Sequence, residues 1–214
     1  MKEYNTLYRS SKEEILIEKS RFIGYGKGVE TENEASEFIK TISKGHYDAT
    51  HNVWAYIFGE NSEIQRYSDD GEPSGTAGIP VLEVLKKEGI TNAVLVVTRY
   101  FGGIKLGAGG LVRAYTKCAA AAVKSSGILC RRIFIPLQIT VDYSFIGKLQ
   151  RDLAARGIAH GAAEFSEKVS IDVFSPREEV ENYIAYYTDL MMGNISVEKK
   201  EERYLDFYHE QLLL

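Results

Sequence analysis

The chain has 214 residues, a hydrophobic share of 44%, a charged share of 26% and a formal net charge of -4. This composition is typical of a globular protein, and the length suits two domains of roughly 100 to 150 residues each. The first 128 residues carry equal numbers of acidic and basic side chains, so the acidic excess lies in the remainder. This balance excludes general adhesion to polyanions and leaves nucleic-acid binding only to a local basic patch.

Neither a membrane span nor a secretion signal is expected. No apolar run approaches the roughly 18 residues that a membrane span requires, and the segment 1–5 lacks the apolar core of a secretion signal. We therefore predict a cytoplasmic protein. Cys118 and Cys130 have neither CxxC spacing nor a neighbouring histidine cluster. We expect free thiols, with no disulfide, no bound metal and no cofactor.

The first predicted domain, residues 1–130, has the element order ββαββαβα. Two short strands and a helix with a Thr31–Glu34 capping box open it, and a hairpin of two strands follows. A helix near 79–88 and a fully apolar strand, Ala93–Val97, come next. A long helix then begins at Gly109 or Gly110 and ends near Ser126.

The second predicted domain covers residues 131–214. Helical and strand periodicities place its elements at 133–141 (strand), 144–156 (helix), 158–165 and 169–174 (strands), 176–191 (helix) and 195–204 (strand). The order βαββαβ is the ferredoxin-like arrangement, and the predicted fold class is α+β. That fold serves many functions, so by itself it indicates none.

Glycines are concentrated between the apolar strand and the long helix, namely Gly102, Gly103, Gly107, Gly109 and Gly110. Five glycines exceed what one turn needs, and free amides at the start of a helix favour a phosphate or a carboxylate. Arg99, Lys105 and Arg113 would add charge-assisted hydrogen bonds. Alternatively, the glycines let the helix pack closely on the sheet while the basic residues pair with carboxylates. The segment matches no nucleotide-binding motif.

A second unusual segment, 68–78, contains the carboxylates of Asp69, Asp70 and Glu72. Hard cations such as Mg²⁺ bind carboxylate oxygens, so a metal site is one interpretation. The same side chains would serve as a clamp that forms salt bridges or caps a helix, or as an acidic loop that faces a partner. The helix that begins near residue 79 has three candidate caps, Ser74, Thr76 and Gly78.

Asp48 and His51 form a carboxylate and histidine pair close enough in sequence for acid–base work. A single histidine beside a strand is more often structural, and no nucleophile can be assigned to the pair. We therefore predict no catalytic residue. Tyr100 and Phe101 lie beside Arg99, where aromatic side chains suit base stacking or an interface anchor.

These segments resemble the signature of the IMPACT/YigZ family. The similarity extends over essentially the whole chain and is carried by 68–73, 75–78, 99–103, 106–107, 109–112 and 114–115, with 19–23 and 48–51 in support. It implies a first domain similar to domain 2 of ribosomal protein S5, with a left-handed crossover, and a ferredoxin-like second domain similar to elongation-factor domain V. It also implies a role near translation.

Two functional hypotheses follow. The first is a non-enzymatic, translation-associated regulatory protein that binds RNA, the ribosome or a translation factor through Arg21, Arg99, Tyr100, Lys105 and Arg113. The second is a magnesium-dependent enzyme that acts on a phosphorylated small molecule. In that case the carboxylates of 68–78 hold the metal and the glycine-rich loop holds the phosphate. The sequence indicates no oligomeric state.

Overall fold

Two β-sheets and five α-helices build the mixed α/β architecture of residues 1–213, the part of the chain that the computed structural model describes. The chain divides into two units, Met1–Cys130 and Arg131–Leu214. The first unit contains β1 (Tyr4–Leu7), β2 (Ser11–Ile17), β3 (Ser20–Gly28), α1 (Glu32–Gly45), β4 (His51–Phe58), β5 (Ile64–Ser68), α2 (Gly78–Lys87), β6 (Ala93–Tyr100) and α3 (Gly107–Ser126). Strand β7 (Ile128–Val141) follows directly.

The first unit is built on a five-stranded antiparallel sheet in the order β2-β3-β6-β4-β5. Strand β6 is central, and its residues from Ala93 to Arg99 are buried, which explains its apolar sequence. Helix α1 covers one face through Ala35 and its apolar neighbours. Helices α2 and α3 cover the other face, through side chains such as Val81, Leu85, Leu111, Tyr115 and Cys118.

Two boundaries differ from the sequence prediction in a way that places the site. Strand β6 continues to Tyr100 instead of ending at Val97, because Arg99 and Tyr100 still pair with β3 and Arg99 also pairs with β4. Helix α3 begins at Gly107, before the predicted start at Gly109 or Gly110. Arg99 and Tyr100 therefore lie on the sheet, and only a short loop separates them from the helix.

The second unit continues from β7 with α4 (Tyr143–Arg156), β8 (Glu164–Phe165), β9 (Val169–Pro176), a 3₁₀ turn (Arg177–Glu179), α5 (Val180–Leu190), β10 (Ser196–Lys199), β11 (Arg203–Tyr208) and β12 (Gln211–Leu213). Strand β9 pairs antiparallel with β7 over Phe134–Val141, and β10 pairs antiparallel with Leu137–Thr140. Helices α4 and α5 contribute Leu149, Leu153, Tyr183 and Tyr187 to the core of this unit.

Two strand predictions for the second unit are wrong in extent. The predicted strand 158–165 is reduced to the two residues of β8, because the run from Ala159 to Ala163 lacks the β-branched and aromatic side chains that stabilise a ladder. The predicted strand 195–204 is two strands, β10 and β11, interrupted by charged residues at 200–202. Within residues 1–213, no helix has both the length and the apolar character that crossing a membrane demands.

Candidate functional site

A buried ion pair lies where β6 ends and α3 begins. Arg99 Nη1 donates to Glu72 Oε1 at 2.6 Å, and the Tyr115 hydroxyl donates to the same oxygen at 2.8 Å. Arg99 is 5% exposed and Glu72 is 7% exposed. Burial, followed by the charge of Glu72, raises the pKa of Tyr115 far above its ordinary value. The acidic segment is thus joined to the sheet and to the helix through one carboxylate.

His51 faces the second oxygen of this carboxylate. His51 Nδ1 lies 2.7 Å from the Asp70 carbonyl, and because a carbonyl can only accept, Nδ1 carries the proton. In the neutral ring, Nε2 is therefore an acceptor. It lies 3.8 Å from Glu72 Oε2, too far for a direct hydrogen bond. With His51 in this neutral form, two acceptors face each other at the edge of a cavity.

The other two carboxylates of the acidic segment accept hydrogen bonds from backbone amides. Asp69 accepts from the amides of Gly75 at 2.8 Å, Ala77 at 3.1 Å and Gly78 at 2.8 Å, and so caps the start of α2. Asp70 Oδ2 accepts from the backbone amide of Asn52 at 2.6 Å. Among residues 1–213, no group of three or more His, Cys, Asp or Glu side chains is placed to hold a metal ion.

The cap of α2 comes from a carboxylate of the acidic segment, as the clamp interpretation proposes, and not from Ser74, Thr76 or Gly78. Asp69 supplies the cap, whereas the Thr76 hydroxyl donates to the Pro73 carbonyl at 2.6 Å and Ser74 is exposed. Gly78 is the first residue of the helix, and its amide is one of those that Asp69 caps. Sequence rules look for caps next to a helix, so they could not show which of the three carboxylates reaches the helix across the loop.

Asp48 does not pair with His51 and instead ends a chain of hydrogen bonds. The Tyr100 hydroxyl donates to Asp48 Oδ1 at 3.1 Å and lies 2.8 Å from His46 Nδ1. His46 Nε2 lies 2.5 Å from the Tyr25 hydroxyl. Since the Tyr100 proton points to Asp48, His46 Nδ1 donates to Tyr100 and His46 Nε2 accepts from Tyr25. Sequence reasoning missed His46 because it follows the end of α1 and its partners lie far along the chain, on β3 and β6.

The Arg21 guanidinium packs over the Tyr100 ring. The Arg21 guanidinium carbon lies 4.3 Å from the centre of the Tyr100 ring, on strands that pair directly. Phe101 differs, because its side chain is 47% exposed. Of the two predicted aromatic residues, Phe101 is the one with a free surface.

The glycines of the loop meet different steric demands. A Cβ at Gly102 would lie 2.0 Å from the carbonyl atoms of Lys19, so close approach of two backbones requires glycine there. A Cβ at Gly109 would have no atom within 4 Å, and its φ is not positive. Gly103 and Gly107 take positive φ, and Gly110 lies against the Leu106 side chain. The glycine-rich segment therefore combines close packing with open surface at the start of α3.

Two adjoining cavities lie beside this helix start, which no side chain among residues 1–213 caps. The first, here called the Phe101 pocket, has a volume of about 400 Å³ and is lined by His51, Glu72, Arg99, Phe101, Leu111 and the first residues of α3. The second, here called the basic groove, has a volume of about 350 Å³ and is lined by Lys105, Arg113, Lys117 and Glu18. Lys105 and Leu106 line both cavities.

The structure thus distributes these predicted site residues over four places. Arg99 and Glu72 form the buried pair, Arg21, Tyr100 and Asp48 form the hydrogen-bonded cluster, and Lys105 and Arg113 lie at the groove. His51 and Phe101 line the Phe101 pocket. Besides His46, two side chains that sequence reasoning did not select complete the arrangement. Tyr115 bonds Glu72, and the Ser20 hydroxyl accepts from the Gly102 amide at 3.2 Å.

Comparison with known proteins identifies the family. Residues 18–123 match the Impact N-terminal domain, and residues 139–194 match a domain of unknown function, DUF1949. IMPACT family member YvyE of Bacillus subtilis is 43% identical over 203 residues, which cover 95% of this chain and 94% of that protein. An IMPACT family member of Thermus thermophilus is 34% identical and covers 86% of this chain and 99% of its own length.

A solved structure agrees with these relatives. The crystal structure of a hypothetical protein is 27% identical, with a TM-score of 0.59, and the match covers 94% of this chain and 98% of the other. The extent and identity of the similarity to the Bacillus protein settle the relationship. The chain belongs to the IMPACT family.

Proposed function

We propose that this protein is a non-enzymatic, translation-associated protein that binds RNA through the basic groove. The proposal is supported by one observation above all: three exposed cations, Lys105, Arg113 and Lys117, line a single groove. None of the three forms an ion pair with another described residue. Phosphate neutralisation by clustered lysine and arginine is the main source of RNA affinity.

The local energetics favour an external anion in this groove. Arg113 and Lys117 are four residues apart on α3, where like charges disfavour the helix by roughly 0.2 to 0.5 kcal/mol. Lys105 precedes the start of α3, where a positive charge opposes the helix dipole. Glu18 is the only carboxylate among the residues that line the groove. A phosphate would relieve both repulsions.

The finer fold assignment belongs to the same proposal. We propose an S5 domain 2-like first domain and a ferredoxin-like second domain similar to elongation-factor domain V, as in proteins that act on the ribosome. Support for the second assignment comes from the antiparallel neighbours of β7 and β9, which give the order β10-β7-β9-β8. In this order the first and third strands of the βαββαβ unit, β7 and β9, lie in the middle, and the second and fourth, β8 and β10, lie on either side, as in the ferredoxin-like arrangement.

The experiment measures RNA affinity by fluorescence anisotropy with labelled single-stranded and hairpin RNA at low salt. Arg113→Ala combined with Lys117→Ala should weaken binding at least about tenfold, because charge-assisted hydrogen bonds contribute roughly 1.5 to 3 kcal/mol each. The matched control is Lys40→Ala with Lys44→Ala, which removes two exposed lysines at the same spacing from α1. It should change affinity less than about twofold, since surface charges outside the interface contribute little.

Two results would refute the proposal: no detectable binding of either RNA by the wild type, or equal losses in the two double variants. Arg99→Ala is unsuitable for this test, because the Arg99 guanidinium lies in the buried pair with Glu72. The magnesium-dependent alternative is not proposed, since Asp69, Asp70 and Glu72 are each bound to a different protein group.

A further inference from the structure

We infer that the Phe101 pocket binds the base of one unpaired nucleotide that carries an exocyclic amino group. The inference rests on the proposed RNA-binding function and assigns a chemical preference to a neighbouring cavity. It starts from the facing acceptors, His51 Nε2 and Glu72 Oε2, which are 3.8 Å apart. A donor with two hydrogens satisfies both acceptors at once.

The charges around the pocket exclude a cationic donor. Arg99 and Lys105 line the pocket, and the first residues of α3, with their uncapped amides, form part of its wall. The single carboxylate, Glu72, is already neutralised by Arg99. A lysine or arginine side chain of a protein partner would therefore meet net positive surroundings. An anionic ligand that carries a neutral amino group would instead meet surroundings of complementary charge.

The shape and apolar surface of the pocket suit a flat ring. Its volume of about 400 Å³ lies in the range of small-molecule sites. Phe101 presents an exposed aromatic ring, and Leu106 and Leu111 add apolar wall. Bases of unpaired RNA stack on aromatic side chains in this way while their edges bind polar groups.

Continuity with the basic groove favours a nucleotide within a strand over an isolated metabolite. Lys105 and Leu106 line both cavities, so a phosphate held in the groove lies next to the mouth of the pocket. Gly109, where a side chain would meet no neighbour, leaves the start of α3 open to the backbone of the strand. The groove binds phosphate and the pocket selects the base.

Cytidine and uridine 5′-monophosphates provide a matched test, because their rings have the same size and differ at two neighbouring positions. Cytosine has an amino group and an acceptor nitrogen there, whereas uracil has a carbonyl oxygen and one N–H. Titration followed by amide chemical shifts should show cytidine monophosphate binding roughly tenfold more tightly, since its amino group has a hydrogen for each acceptor. Uridine has a single N–H and would place its carbonyl oxygen beside the two acceptors. The largest shifts should lie at His51, Phe101 and Gly107. His51→Ala should remove the preference, and Phe101→Ala should weaken both ligands. Tyr47→Ala, which removes an aromatic ring that is 88% exposed elsewhere in the first unit, should change neither.

Equal affinity for the two monophosphates, or a preference that survives His51→Ala, overturns the inference. The ratio of the two affinities is informative even if a variant is less stable, because a general loss of folded protein affects both ligands alike. Failure here is distinguishable from failure of RNA binding. If RNA binds through Arg113 and Lys117 while the monophosphates bind equally, only the base pocket is wrong. If cytidine monophosphate is preferred but the affinity for RNA is unchanged by Arg113→Ala with Lys117→Ala, only the proposed function is wrong.

Discussion

At the scale of single residues, the buried pair of Glu72 and Arg99 is the most sensitive point of the site. Glu72→Gln keeps the shape of the side chain but leaves the Arg99 charge buried without a counter-ion. Removing one partner of a buried pair costs about 3 to 5 kcal/mol, so the free energy of unfolding in urea should fall by roughly that amount. The amide oxygen of Gln still accepts a hydrogen bond from Tyr115, so we expect a loss at the lower end of this range.

Glu83→Gln is the matched control for this prediction. Glu83 pairs with Lys86 on the surface of α2, with 56% of its side chain exposed. Exposed pairs of this kind contribute less than about 0.5 kcal/mol. If the two substitutions destabilise the protein equally, the buried pair is not what joins the acidic segment to the sheet.

The free energy of unfolding should depend on pH partly through the side chain of His46. Burial lowers the pKa of His46 below its ordinary value of 6.5, Lys12 and Arg21 lower it further, and Asp48 opposes them. The unfolded chain therefore binds this proton more tightly than the folded protein does. The stabilising contribution is present above the unfolded pKa and is lost as the pH falls below it. Protonation would also oppose the hydrogen bond from Tyr25 to Nε2.

The measurement is urea unfolding at about pH 8 and about pH 5.5, a range in which an unperturbed histidine titrates. Wild type should lose more stability over this interval than His46→Gln, which has no group that titrates there. Other histidines and the carboxylates are common to both proteins, so the difference reports His46. Parallel losses would mean that His46 accepts a proton as readily in the fold as in the unfolded chain.

At the scale of secondary-structure elements, the start of α2 depends on a carboxylate outside the helix. Asp69→Ala leaves the amides of Gly75, Ala77 and Gly78 without their shared acceptor. Loss of a helix cap typically costs about 0.5 to 2 kcal/mol, and we expect the upper part of that range because three amides are affected. Thermal and urea unfolding both measure it.

Ser74→Ala is the control for the cap, because Ser74 was a sequence candidate and is exposed. Its substitution should leave the free energy of unfolding unchanged to within about 0.5 kcal/mol, as for other surface positions. A larger loss for Ser74→Ala than for Asp69→Ala would assign the cap to Ser74 instead of Asp69.

The elements themselves were largely predictable, because their signals are local. The Thr31 cap of α1, the apolar run of β6 and the helical periodicity of α5 each involve residues within a few positions of one another. The site was not predictable in detail. Glu72 meets Arg99 across 27 positions and Tyr115 across 43, so only the fold brings them together. A motif could show that these residues are unusual, but not that Arg99 is buried.

At the scale of the whole molecule, the net charge of -4 means that RNA binding must be local. General attraction is unavailable, so affinity depends on the few phosphates that Lys105, Arg113 and Lys117 neutralise. Three contacts to a single strand predict a slope of about -2 for the logarithm of the association constant against the logarithm of salt concentration. Arg113→Ala with Lys117→Ala should reduce the slope to about -0.7. A wild-type slope steeper than about -4 would require a broad cationic surface, contrary to the charge distribution, and an unchanged slope in the variant would place the contacts outside the basic groove.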